Sequence, residues 1–183
     1  MIRKLDILYS IIGLVSLFPL LCVLYMLGWI FNRSPIFRQE RVGQGQKQFV
    51  LVKFRTMRLD TNNMPTHLVD ASAVTTYGRL LRKTKLDELP QLWNVLIGEM
   101  SIVGPRPCLV GQQELIEERV AQGVFDARPG ITGLAQIQRI GMDRPALLAS
   151  IDAEMLVSLD VLTYHRYIIL TLLGRGFEDM VRE

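Results

Sequence analysis

Hydrophobic positions are unevenly spread along this chain. Residues 7–32 contain no Asp, Glu, Lys or Arg, an apolar run longer than the roughly 20 residues that a helix needs to cross a bilayer core. Beyond Ser34-Pro35 the pattern changes to alternation. Segments 36–42 and 49–55 read as two short strands, and Gly43-Gln44-Gly45-Gln46 turns the chain between them, which predicts a β-hairpin. Polar residues with Asn62, Asn63 and Pro65 mark 59–73 as a loop of a length often tied to function. Helical spacing returns at 75–82, where Tyr77, Leu80 and Leu81 are expected inward and the basic residues outward. Another helix is expected to open at Pro90, whose missing N–H costs nothing at a first helical position. It carries Leu92, Trp93, Val95 and Leu96 on its apolar face and stops at Gly98.

Helices are also predicted over 109–121, exposing Glu114, Glu117 and Glu118, and over 145–162, with a Pro-Gly turn within 127–134 between them. The apolar stretch 164–173 is too short to span a bilayer. It either lies on the membrane, with Tyr164 and Tyr167 at headgroup level, or packs in the core, and the first placement is preferred.

Together these elements describe an α+β, helix-rich single domain with a small β-hairpin and amphipathic surface helices. They divide the chain into a membrane segment over 1–33 and a globular domain over 34–183. A length of 183 residues builds one core and not two full-sized ones. Hydrophobic residues make up 49%, and most of the excess lies in the first 32 positions. That run exceeds the roughly 7–15 residues of a signal-peptide core, and bulky Trp29-Ile30-Phe31 stands where a cleavage site would need small residues, so a retained anchor is expected.

Charge then bears on topology. Arg3 and Lys4 precede the run, and Arg33, Arg38 and Arg41 follow it, whereas a spanning helix carries its basic excess on the cytoplasmic side only. Pro19, near the middle, removes a helical hydrogen bond and favours a bend. A Pro-broken re-entrant helix with both ends on the cytoplasmic face satisfies both observations; a spanning helix that tolerates its proline is the alternative. Asp6 is expected to pair with Arg3 or another cation, or to stay at headgroup level. Cys22 and Cys108 build no disulfide framework, which fits a reducing compartment. The formal charge of +3 and a pI near 9.0 suit anionic headgroups and a phosphorylated lipid, and nucleic acid is not expected as a partner.

Candidate chemistry concentrates in Leu86-Asp87-Glu88-Leu89-Pro90-Gln91, two adjacent carboxylates after Arg79, Arg82, Lys83 and Lys85. A carboxylate among cations stays ionised and serves as a nucleophile or metal ligand; at a helix start it also serves as a plain cap. Gly104-Pro105-Arg106-Pro107 is a stiff turn with one cation. Lys53 and Arg55 share a strand face, either as phosphate ligands or as a solvated surface, and Arg128 is a phosphate ligand or a structural cation. His67 has no second histidine or cysteine nearby, which argues against a metal site there. No Walker loop, dinucleotide fingerprint, zinc spacing or serine-triad motif occurs.

Four segments in order carry a resemblance: Lys53-Phe54-Arg55-Thr56-Met57, Leu86 to Leu96, Met100-Ser101-Ile102-Val103-Gly104-Pro105-Arg106-Pro107, and Arg128 to Gln136. They resemble the bacterial sugar transferases, more narrowly the small monotopic phosphoglycosyl transferases that act on polyprenyl phosphate. The resemblance implies transfer of a sugar-1-phosphate from a UDP-sugar to undecaprenyl phosphate at the cytoplasmic face of the bacterial inner membrane. UMP leaves and a polyprenyl-diphosphate-sugar forms, the first membrane step of surface glycan assembly. It further implies Asp87 as the nucleophile of a phospho-aspartyl sugar intermediate, Glu88 as its neighbour helping to hold Mg²⁺, and a helix-break-helix anchor.

Arg106 is the first candidate for binding substrate phosphate, followed by Arg82, Lys53, Arg55 and Arg128. Departures from the family pattern are Phe18 before Pro19, where members often carry Ser, and the segments at Asp152-Ala153-Glu154-Met155 and Tyr164-His165-Arg166-Tyr167. The alternative is a non-catalytic, membrane-tethered lipid-binding or scaffold protein of the same fold, against which the intact Asp87, Glu88 and Arg106 argue.

Overall fold

A computed structural model describes residues 1–59 and 73–175. His67 and nearly all of the loop expected at 59–73 lie outside the described residues. Two apolar helices come first: α1 (Ile2–Ser16) and α2 (Phe18–Asn32) meet at Leu17 with a bend of 64°. Pro19 occupies the first turn of α2, where its missing N–H is tolerated, and the helix breaks just before it because its ring would clash with the carbonyl one turn back. Among the described residues no single helix is long and apolar enough to cross a membrane, although the bent pair passes the same test together. Val15, Phe18, Met26 and Ile30 on this pair are exposed.

The predicted hairpin forms. β1 (Ile36–Val42) runs antiparallel to β2 (Gln48–Phe54), with Phe37 opposite Lys53 and Arg41 opposite Phe49. Next comes α3 (Thr76–Thr84), capped by Thr75, whose hydroxyl accepts the Gly78 N–H at 2.9 Å. Two orientations in α3 differ from the amphipathic pattern: Leu80 is exposed, and Arg82 is buried, because a buried hydroxyl on Thr56 accepts its Nε–H at 2.9 Å. A 3-10 turn over Leu86–Glu88 leads into α4 (Gln91–Ile97). Pro90 stands just before the first helical residue and Gly98 ends the helix at φ 97°, a conformation that suits glycine. Trp93, expected on the packed face of α4, is exposed.

A second sheet goes beyond the sequence reading. β3 (Ser101–Val103) and β4 (Gly130–Thr132) pair in parallel, where the Pro-Gly signal had marked a turn. Gly104 and Gly130 touch backbone to backbone: a Cβ on Gly130 would lie 2.0 Å from the Gly104 nitrogen. Then follow α5 (Gln113–Ala121), which starts later than 109, and the short α6 (Leu134–Ile137). The helix expected over 145–162 is instead α7 (Pro145–Ser158), with α8 (Val161–Leu172) beginning afresh because the Asp160 carboxylate accepts the Thr163 N–H at 2.7 Å. Tyr164 and Tyr167 on α8 pack in the core with Val103 and Met155, which corrects their placement at headgroup level. Leu162, Ile169 and Leu172 on the same helix remain exposed.

The start of α1 belongs to that core, through Ile2, Leu5 and Tyr9. Among the described residues no cation pairs with Asp6, which is buried. Its Oδ1 accepts from the Ser101 hydroxyl at 2.9 Å, the Ile102 N–H at 3.0 Å and the Tyr164 hydroxyl at 2.9 Å. These donors compensate a carboxylate taken out of water. Arg3, the expected partner of Asp6, instead donates to the carbonyls of Val95 at 2.6 Å and Leu96 at 3.0 Å, where the negative end of α4 favours a cation. The other end of the pair is tied to the domain by the Asn32 side-chain N–H, which donates to the Arg55 carbonyl at 2.6 Å.

Asn94 fixes α4 against the hairpin. Its Nδ2 donates to the Val50 carbonyl at 2.8 Å, and its Oδ1 accepts the Val52 N–H at 3.1 Å. A side-chain amide thus replaces a missing strand at the edge of β2, and the turn that precedes α4 is held close to Lys53.

Candidate active site

Asp87 and Glu88 lie in the 3-10 turn between α3 and α4, directly after Lys85, which takes a left-handed φ of 57°. That conformation is uncommon for a residue with a Cβ and marks a tightly specified turn. The two carboxylates have different surroundings. Asp87 is buried, at 3% exposure, within electrostatic reach of Lys53 on β2. Glu88 lines a cavity of about 190 Å³ together with Arg106.

Lys53 is the hub of the cations. Burial holds its ammonium below the usual lysine range; Asp87 opposes that shift, and Arg82, Arg41 and Arg106 add to it. Its Nζ lies 5.6 Å from the centre of the Phe37 ring. Arg82 sends Nε to Thr56, and its Nη1 is buried with no hydrogen-bond partner. Arg106 meets Glu88 at 3.5 Å, a long and partly exposed contact that adds little to stability.

Arg41 joins this group although the sequence reading treated it only as a flank of the anchor. Its Nη1 donates to the Pro107 carbonyl at 2.9 Å and its Nη2 to Gln39 Oε1 at 2.5 Å, while Nε is buried and unpartnered. Burial and the nearby Arg106 push its pKa down to about 10, with Cys108 and Glu88 acting against them. Alternation along β1 carried the signal: Phe37, Gln39 and Arg41 fall on one face of the strand. Thr56, in the Lys53-to-Met57 motif, is a second residue the sequence reading passed over.

Arg106 is braced from behind. Arg119 Nη1 donates to the Arg106 carbonyl at 2.9 Å, and its Nε and Nη2 reach Asp152 Oδ2 at 3.1 and 2.6 Å. Both side chains of this pair are almost fully buried. Burial raises the Asp152 pKa, with Arg119 pulling the other way.

The structure therefore brings Lys53, Arg82 and Arg106 together with the acid pair and gives two other candidates different engagements. Arg55 donates to the Ile36 carbonyl at 3.3 Å and stacks over Phe37 at 5.3 Å. Arg128 donates to the Gly98 carbonyl at 2.8 Å, at the end of α4. The cavity beside Glu88 is walled by Leu89, Leu92, Ile102, Ile131, Ile168 and Leu172, with Lys85 and Arg106 among its polar lining. Among the described residues no group of three or more His, Cys, Asp or Glu gathers. Mg²⁺ usually takes only one or two carboxylates and completes its shell with phosphate oxygens and water, so Asp87 and Glu88 fit an ion shared with a substrate.

A buried acid among cations, beside a mostly apolar cavity, suits phosphoryl chemistry on an amphipathic molecule. The chain belongs to the bacterial sugar transferase family, whose model matches residues 1–173. It is 38% identical over 157 residues to the exopolysaccharide production protein PSS of Rhizobium leguminosarum bv. phaseoli, covering 79% of this chain and 78% of that protein. It is 41% identical over 140 residues to the UDP-glucose:undecaprenyl-phosphate glucose-1-phosphate transferase of Klebsiella pneumoniae, covering 72% and 30%. With the UDP-galactose-lipid carrier transferase of Erwinia amylovora it shares 37% over 153 residues, covering 70% and 31%. The chain spans 32% and 52% of the length of two further curated relatives.

Proposed function

We propose that this protein transfers a sugar-1-phosphate from a UDP-sugar to undecaprenyl phosphate, with release of UMP. The observation that carries this reading is Asp87, buried on a tight turn and facing Lys53, with Glu88 and Arg106 beside it. The names of the Klebsiella and Erwinia relatives support the choice of donor and acceptor.

In the first step a carboxylate oxygen of Asp87 attacks the sugar-bearing phosphorus. The P–O bond to UMP breaks and its electron pair leaves with UMP. In the second step an oxygen of the lipid phosphate attacks the same phosphorus, the Asp87–phosphorus bond breaks, and the carboxylate is restored. Lys53, Arg82 and Arg106 offset the charge that moves onto the leaving oxygen. Glu88, with Asp87, is the pair that would hold Mg²⁺, which when bound neutralises phosphate oxygens.

Detergent-solubilised protein given undecaprenyl phosphate, Mg²⁺ and a panel of UDP-sugars is expected to release UMP from at least one donor. No UMP from any donor would sink the donor class.

The same reading places α1 and α2 as a re-entrant pair, entering and leaving on the cytoplasmic face. Three observations support it: the 64° bend, the exposed apolar side chains, and attachment of both ends to one domain, through Arg3 and Asp6 at one end and Asn32 at the other. In a Cys22→Ser background, Lys4→Cys and Arg38→Cys are each expected to react with a membrane-impermeant maleimide only from the cytoplasmic side. Labelling from opposite sides would reject the re-entrant arrangement.

A further inference from the structure

We infer that Arg41, together with Arg82 and Lys53, forms an anion pocket on the hairpin side of the acid pair that takes the donor's diphosphate and then holds the departing nucleoside monophosphate. This rests on the transfer proposed above and assigns the two substrates to different sides of Asp87 and Glu88.

Among the described residues, two buried guanidinium N–H groups, Arg41 Nε and Arg82 Nη1, have no partner. A buried donor without a partner is costly, and native proteins keep one where a ligand completes it. Arg41 is also well fixed: Pro107 and Gln39 each take one N–H from its two terminal nitrogens, and Nε has no partner among the described residues. Thr56 likewise occupies Arg82 Nε while Nη1 has no partner. Arg55 Nε, on the Phe37 ring of the same hairpin, is a third guanidinium donor without a partner among the described residues.

Arg41, Lys53, Arg82 and Arg106 set four positive charges against the two of Asp87 and Glu88. The excess, before Lys85 at the cavity or any Mg²⁺ on the acid pair is counted, is two positive charges, which favours a dianion such as a diphosphate diester. Burial and mutual repulsion already depress the proton affinity of Arg41 and Lys53. A dianion would relieve that repulsion, and a planar guanidinium is suited to paired phosphate contacts.

The cavity beside Glu88 presents six large aliphatic side chains, with Lys85, Arg106 and Arg175 also in its lining, a suitable setting for the first units of a prenyl chain whose phosphate reaches Arg106. An apolar acceptor therefore takes the cavity, and the charged donor takes the hairpin side.

The test uses the full chain in detergent and titrates UMP and inorganic pyrophosphate by calorimetry, with no turnover needed. Arg41→Gln is expected to weaken both about 10- to 100-fold, the loss of a charge-assisted contact, while the Kd for polyprenyl phosphate, titrated in the same detergent, stays within about twofold. Arg41→Lys should recover part of the affinity by restoring the charge without the fork. Unchanged UMP affinity in folded Arg41→Gln overturns the assignment, and so does weakened acceptor binding with UMP unaffected. Should Arg41→Gln fail to fold, Arg41→Lys carries the test, and wild-type UMP affinity in it overturns the assignment. Because binding is read without catalysis, a chain that releases no UMP from any donor would sink the proposed transfer yet leave the pocket measurable.

Discussion

Asp87→Asn is expected to abolish turnover, with a loss of at least about a thousandfold, and to remove any covalent sugar-phosphate adduct. The substitution preserves shape and burial but replaces a carboxylate oxygen with a neutral amide that forms no acyl phosphate of comparable reactivity. Intact-mass measurement after incubation with the donor alone reads the adduct directly, because without acceptor the second displacement does not occur. Glu88→Gln should behave differently. It leaves the nucleophile in place, so the adduct still forms, more slowly, and both half-reactions lose rate. Retained turnover in Asp87→Asn, or an adduct that survives it, would exclude Asp87 from the role. A thermal midpoint recorded on the same samples separates loss of chemistry from loss of fold.

Arg119→Met is expected to cost about 3–5 kcal/mol of stability, since removing one partner strands a charge that has been taken out of water. That is a large fraction of the roughly 5–15 kcal/mol available to an ordinary domain. The pair's attraction offsets burial only in part: Asp152 Oδ1 is buried without a partner, and the carboxyl's proton affinity stays above its ordinary value despite Arg119. Replacing both partners, as Arg119→Met with Asp152→Leu, should therefore recover most of the loss. Chemical denaturation of the three variants measures this, and a single substitution costing under about 1 kcal/mol would contradict it. The repaired double variant should still turn over slowly, because the Arg106 carbonyl has lost the donor that steadies the Pro105-Arg106-Pro107 turn.

How much of this could be read from sequence depended on whether the determinant was local. The hairpin and α3 carried their own periodicity, and the acid pair and Arg106 carried their own motifs. The parallel pair of β3 and β4 did not, since three residues give too little alternation and the partner lies some thirty positions away. Arg82 followed an amphipathic pattern that pointed it outward, and only a hydroxyl 26 positions earlier explains its burial. Arg41 had the right parity along β1, but parity alone does not say which face of a hairpin is covered; that is decided by the turn at Asp87 and by Pro107. Asp152 stood out as a departure from the family pattern, and its meaning required Arg119, on another helix. Arg3 read as a flank of the apolar run and a partner for Asp6, and Arg128 as a phosphate ligand or a structural cation, because the carbonyls they serve belong to the end of a helix remote from both in sequence.

Those last contacts bear on interchangeability. Arg3 holds the end of the helix whose other end follows Asp87 and Glu88, and Asp6 is keyed into β3 and α8. An unrelated apolar hairpin grafted in place of the first 32 residues would match them in hydropathy but would fit none of these sockets. The placement of Asp87 relative to that hairpin would then be set by a slack joint, so an exchange of this segment between relatives should carry the Arg3 and Asp6 positions with it.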